Sequence, residues 1–123
     1  MDEEIVKPLE FVGSSRKDLQ AMPGIIKQVF GRALFLAQIG GKPAQAKPLK
    51  GYRGAGVLEI VEDYDTDAYR AVYTVRFAEI IYVLHVFQKK SRAGIATSPR
   101  DLELIARRLK KAEEMHADRN ADR

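Results

Sequence analysis

Three residues in the second half of the chain have side chains that could do chemistry together: Arg70, His85 and Lys89. A lone histidine among cations suits cleavage of RNA without a metal. That reaction needs a base to take the proton from the 2′-hydroxyl, cations to hold the phosphate as charge builds on it, and an acid to protonate the leaving 5′-oxygen. Lysine or histidine serves as base or acid once neighbouring positive charge lowers its pKa. Arginine stays charged and offers a bidentate fork, so it fits the phosphate role. Each residue also has a plainer reading. Arg70 can pair with Glu59 across a hairpin. His85 can be a satisfied, partly buried histidine. Lys89-Lys90 can be a charged strand end.

Other chemistries are absent from the sequence. It has no cysteine, which excludes disulfides, thiolate zinc sites and cysteine nucleophiles. With only two histidines, His85 and His116, no metal site is expected, and no cofactor is implied. Gly51-x-x-Gly54-x-Gly56 lacks the lysine and the strand-to-helix context of a phosphate loop. The 123 residues suit one domain, with 46% apolar and 31% charged residues in an ordinary globular balance. The net charge of +4 permits an anionic partner such as nucleic acid. The acidic N-terminus has no signal-peptide core, and no apolar run approaches the roughly 18 residues of a membrane span. A cytoplasmic protein without a membrane partner is expected.

The elements that must position these residues follow from periodicity. Residues 6–12, with Pro8 inside, read as an edge strand. Ser15 with Asp18 resembles a cap pair opening a short helix to about Ala21. Ile26, Val29, Phe30, Ala33, Leu36 and Ala37 form one helical stripe over 23–39. Residues 42–56 read as a loop with Lys42, Lys47, Lys50 and Arg53 and no acid. Three strands follow, over 57–64, 68–76 and 79–89, the first two joined by Asp65-Thr66-Asp67. Alternation places Leu58, Ile60, Tyr69, Ala71, Tyr73, Val75, Phe77, Ile80, Tyr82, Leu84 and Val86 against the helical hairpin. The opposite face is then open, polar and cationic, carrying Glu59, Arg70, Thr74, Arg76, His85 and Lys89. Ser98-Pro99-Arg100-Asp101 starts a last helix. Its basic face, including Arg107 and Arg108, reads as solvated, and residues 116–123 read as an unstructured tail. The fold class is α+β: a twisted, mainly antiparallel sheet packed on an N-terminal helical hairpin, in the order β-α-α-β-β-β-α.

Gly56-x-x-Glu59, Ala68-Tyr69-Arg70-Ala71-Val72-Tyr73, Ile81-Tyr82-Val83-Leu84-His85-Val86-Phe87-Gln88-Lys89-Lys90 and Thr97-Ser98-Pro99 with an Ala/Arg-rich helix form a pattern. It resembles the RelE/ParE toxin superfamily, most of all its phage-derived HigB-like branch, with a toxin domain over residues 1–115. The resemblance implies the toxin of a bacterial toxin–antitoxin pair that cuts messenger RNA, often on the ribosome, leaving a 2′,3′-cyclic phosphate. It implies a small helix-turn-helix antitoxin as partner. Carried onto this chain, it implies that Lys47, Lys50 and Arg53 bind RNA or phosphate and that Arg70 stabilises the phosphate. His85, Lys89 and Lys90 match the histidine and lysine pair of the last strand, and Arg76 extends the cationic face. The family arginine expected at position 61 is Val61 here. A gyrase-binding toxin of the ParE kind, or an inactive remnant that binds only an antitoxin or phage partner, are the alternatives.

Overall fold

The computed structural model describes residues 5–52, 54–90 and 96–121. In chain order the elements are β1 (Leu9–Phe11), α1 (Ser15–Gln20), α2 (Gly24–Gln38), β2 (Ala46–Pro48), β3 (Val57–Tyr64), β4 (Asp67–Thr74), β5 (Ile81–Lys89) and α3 (Pro99–Ala121). The strands form a five-stranded sheet in the order β1-β5-β4-β3-β2. β1 runs parallel to β5, and the other pairs are antiparallel. Pro8 sits just ahead of the edge strand, where its carbonyl accepts the Ile81 N–H at 3.0 Å and its missing donor costs no ladder bond. The β3–β4 hairpin turns on Asp65 and Thr66, both in the left-handed region with φ of 55° and 78°. Two positive φ values suit the right-handed twist of the flanking strands. Among the described residues no helix is long and apolar enough to cross a membrane.

The α+β class and the helical hairpin stand as expected, and the arrangement of the elements differs from the sequence reading in three ways. First, the loop over 42–56 contains a strand: β2 pairs with β3, Lys47 opposite Glu59. Its three residues are too few to show a period. Second, α3 continues through residues 116–121, where the tail was expected to lack structure. Few apolar residues mark that stretch, but His116 packs on Phe77 and Tyr82, and Arg119 reaches Glu10 at 3.5 Å. Third, the sheet is buried on both faces.

A β-bulge causes much of that third difference. Val72 lies opposite His85, whereas Tyr73 lies opposite Val83, so Leu84 is an extra residue in β5. Beyond the bulge the alternation is reversed. Ile81, Val83 and Val86 join Ile60, Tyr69, Ala71 and Tyr73 under α2, with Phe30, Leu34 and Ile26. Ile80, Tyr82, Leu84 and Phe87 join Val57 and Val72 under α3, with Ile105, Leu109 and Ala112. Ile80, Tyr82 and Leu84 therefore face α3, not α2; Phe77 packs on their side, and Val75 is 37% exposed. The face expected to be open and polar is instead a second apolar layer with a polar end.

Arg108 helps to fasten α3 over this layer. It is not the solvated residue expected of a basic helix face. Its Nη1 donates to the Leu84 carbonyl at the bulge (3.0 Å) and its Nη2 to Ser14 Oγ (3.0 Å). It passes so close to Gly13 that a Cβ there would meet Arg108 Nε at 2.7 Å. At α1, Ser14 rather than Ser15 meets Asp18, and Ser15 is buried with its hydroxyl donating to the Val83 carbonyl.

Candidate active site

The polar end of the α3 layer is built from three strands and the first turn of α3. Register places Glu59, Val61 and Asp63 of β3, Arg70 and Val72 of β4, and His85, Phe87 and Lys89 of β5 on that side. Ser98 opens α3 as its cap. Its Oγ accepts the Asp101 N–H at 3.1 Å, and its hydroxyl donates to Asp101 Oδ2 at 2.8 Å. This cap sets Asp101 against β5, where its Oδ1 meets His85 Nε2 at 2.9 Å.

Arg70 and His85 share this end of the sheet face, as expected, but neither is a surface group. Arg70 is 3% exposed and His85 7%. Arg70 Nη1 donates to Thr97 Oγ1 at 2.9 Å and lies 3.6 Å from Glu59 Oε2. Thr97 in turn donates to Glu59 Oε2 at 3.3 Å. The plain pairing of Arg70 with Glu59 is thus present, and an Arg70 truncation would open the interior. Lys89 is half-buried with Nζ on the Ala96 carbonyl at 3.0 Å. Arg70, His85 and Lys89 all find partners in residues 96–101.

Of the residues expected to hold phosphate, Lys47 belongs to the site: its exposed Nζ lies 3.9 Å from Glu59 Oε1. Lys50 and Lys90 are exposed. Arg53 lies outside the described residues. Arg76 belongs elsewhere. It lies two residues beyond the end of β4, away from Arg70, and binds Glu113 Oε2 at 2.6 Å and the Ala55 carbonyl at 3.2 Å. Gly56 makes room for that turn, since a Cβ on it would lie 3.2 Å from the Arg76 nitrogen at a φ of +75°. Among the described residues no group of three or more histidines and carboxylates could hold a metal ion.

Burial pushes the His85 imidazole below its ordinary value, and the hydrogen bond and charge of Asp101 only partly oppose this. For Asp101, burial alone would raise the carboxyl. The hydrogen bonds from His85 and Ser98, with the charges of His85 and Lys89, outweigh it and hold the group below the usual range. A carboxylate only accepts, so a neutral His85 must donate from Nε2. Its Nδ1 then carries the lone pair, and that atom is buried without a partner. Phe87 stacks on the ring at 4.3 Å and 16°. The arrangement is a neutral histidine with one nitrogen fixed and the other left able to take a proton.

Sequence reasoning missed Thr97 and Asp101 as members of the site. The helix start at Ser98-Pro99-Arg100-Asp101 was the available signal, because the first turn of a helix following β5 returns to β5.

A mixed five-stranded sheet between α2 and α3, with its polar cluster where α3 begins, defines the class as a small α+β protein of the RelE type. The fold is similar to that of the toxin RelE of E. coli, in the free state of a mutant, with a TM-score of 0.53 and 17% identity over 86% of this chain and 97% of that one. The toxin–antitoxin complex RelBE2 of Mycobacterium tuberculosis gives a TM-score of 0.47 and 20% identity over 74% of this chain and 100% of that one. No curated protein matches the sequence. The model of the phage-derived protein Gp49-like family matches residues 17–110, and the chain belongs to that family.

Proposed function

We propose that the protein is the toxin of a type II toxin–antitoxin pair and cleaves messenger RNA without a metal, on the ribosome. The observation that carries this reading is the His85–Asp101 pair at 2.9 Å, set beside Arg70 and bordered by Lys47 and Lys89. RelE-type likeness and Gp49-like membership support the toxin reading. In the proposed reaction His85 Nδ1 takes the proton of the 2′-hydroxyl. The 2′-oxygen bonds to phosphorus, the bond from phosphorus to O5′ breaks, and Lys89 protonates that oxygen. The products are a 2′,3′-cyclic phosphate and a 5′-hydroxyl. Lys47, Lys50, Lys90 and Arg53 hold the RNA backbone, and Arg70 braces the site from below through Thr97. The partner is a small helix-turn-helix antitoxin that covers the exposed lysines, whose mutual repulsion an acidic segment relieves.

The burial of Arg70 and His85 favours one second reading, an inactive remnant that only binds an antitoxin or phage partner. Brief expression in cells followed by mapping of RNA ends separates the two. New 5′-hydroxyl ends, absent with His85→Ala at equal protein level, support cleavage. Arrested growth with unchanged RNA ends and blocked DNA replication would move the assignment to a gyrase-binding toxin. Unhindered growth at verified protein level would leave the remnant.

A further inference from the structure

We propose that Asp101 is the positioning residue of the site: it holds the His85 proton on Nε2 and so leaves Nδ1 as the nitrogen that accepts the substrate proton. This inference rests on the RNA-cleavage reading and names a group that acts through the histidine. The first observation is the division of labour within one carboxylate. Oδ2 meets Ser98 and completes the helix cap, whereas Oδ1 is spent on His85 at 2.9 Å. A cap needs only the first oxygen. The second is the state of the ring. Phe87 fixes its plane, Asp101 fixes one nitrogen, and Nδ1 is buried with no partner. The packing residue His116 also has a buried, unpartnered Nδ1, so what sets His85 apart is its 2.9 Å bond to a carboxylate held by a helix cap, against 3.4 Å from His116 to Glu79. The charged groups that act on this pair are Asp101 and Arg108 from α3, Asp18 from α1 and Lys89 from β5.

The substitution Asp101→Asn reverses the polarity. The Ser98 hydroxyl donates to the outer oxygen, so an amide keeps its oxygen on that side and turns its NH2 toward His85 Nε2. The ring must then accept at Nε2, and its proton moves to Nδ1.

The test is imidazole nitrogen NMR of the whole chain, with His116→Gln assigning the two histidines, alongside RNA cleavage across pH. In the unaltered protein the His85 proton should be on Nε2. Asp101→Asn should move it to Nδ1 and lower cleavage by about 100-fold or more, the usual share of a positioned base. Asp101 raises the affinity of His85 for a proton, so its loss should shift the acid limb of the pH profile to lower pH. Asp101→Glu should keep the Nε2 proton. Ser98→Ala removes the cap hydroxyl and should change the tautomer far less than Asp101→Asn. A proton on Nδ1 in the unaltered protein overturns the proposal, whatever the variants do. So does an Asp101→Asn protein whose tautomer and pH profile are unchanged, or a Ser98→Ala protein that matches it in both. A tautomer that follows Asp101 in a protein that cuts no RNA supports the orientation and overturns only the cleavage reading.

Discussion

The two ends of α3 are held to the sheet by different physics. At its start, Thr97 and Asp101 meet Arg70, Glu59 and His85, groups 3–7% exposed. Toward its other end, Arg76–Glu113 and Arg119–Glu10 pair at the surface, with side chains 33–47% exposed. Between them lie Ile105, Leu109 and Ala112, which are buried and apolar. Taking charges out of water costs about as much as their attraction returns, so a buried pair adds little net stability while its rupture is expensive. Surface pairs are cheap to keep and cheap to lose. Packing of the middle of α3 therefore holds the layer together, and the polar start is kept for what it can do.

The sharpest break of this comparison is Arg70→Ala. It should destabilise by about 3–5 kcal/mol, because buried Glu59 loses its buried cation and keeps only the exposed Lys47 at 3.9 Å. Urea unfolding reads this directly, and a loss under about 1 kcal/mol would place Arg70 with the surface pairs. Glu59→Gln with Arg70→Met should recover most of the loss. Loss of toxicity in Arg70→Ala alone says little about catalysis until folding has been checked.

Ile105→Ala comes next, at about 2–5 kcal/mol for a large side chain removed from a closed layer. The same unfolding curve should show it, with toxicity retained in whatever fraction stays folded. A smaller effect follows from pH. His85 is held below the ordinary imidazole value of 6.5, so as pH falls through 6.5 the unfolded chain takes up the proton first. Stability should therefore drop below that pH, and His85→Gln should flatten this limb of the curve of stability against pH. Smallest is the coupling between Arg76 and Glu113, about 0.2–1 kcal/mol in a double-mutant cycle and weaker in high salt. A coupling several times larger would remove the contrast between the two ends.

Period 2 and period 3.6 made most of the architecture legible. Tyr69, Ala71 and Tyr73 lie under α2 as their alternation requires, and the stripe through Ile26, Phe30 and Ala33 covers them. The pairing of Arg70 with Glu59 was open to view because the hairpin turn fixes the register. What escaped depends on contacts distant in the sequence. Neither Thr97 nor Asp101 belongs to a periodic pattern, so nothing local says that they meet Arg70 and His85. The burial of Arg70 was missed for the same reason: its face reads as polar until α3 is laid across it. The extension of α3 rests on the His116 ring contacts and the Arg119 ion pair, each formed with a residue far along the chain.

The extra residue at Leu84 acts on β5 as a shift of reading frame acts on a message. Upstream of it, Ile81 and Val83 are spelled for α2; downstream, Val86 is spelled for α2 in the opposite phase. A β5 that ran through Leu84 without the bulge would put the two halves into one phase, and His85, Phe87 and Lys89 would emerge on the α2 side with Val86 facing α3. No side chain of the site would have changed, yet the site would be gone. A one-residue slip of register in β5 is therefore a harsher change than most substitutions within it, and the bulge in this strand is as much a specification of the site as the identity of its histidine.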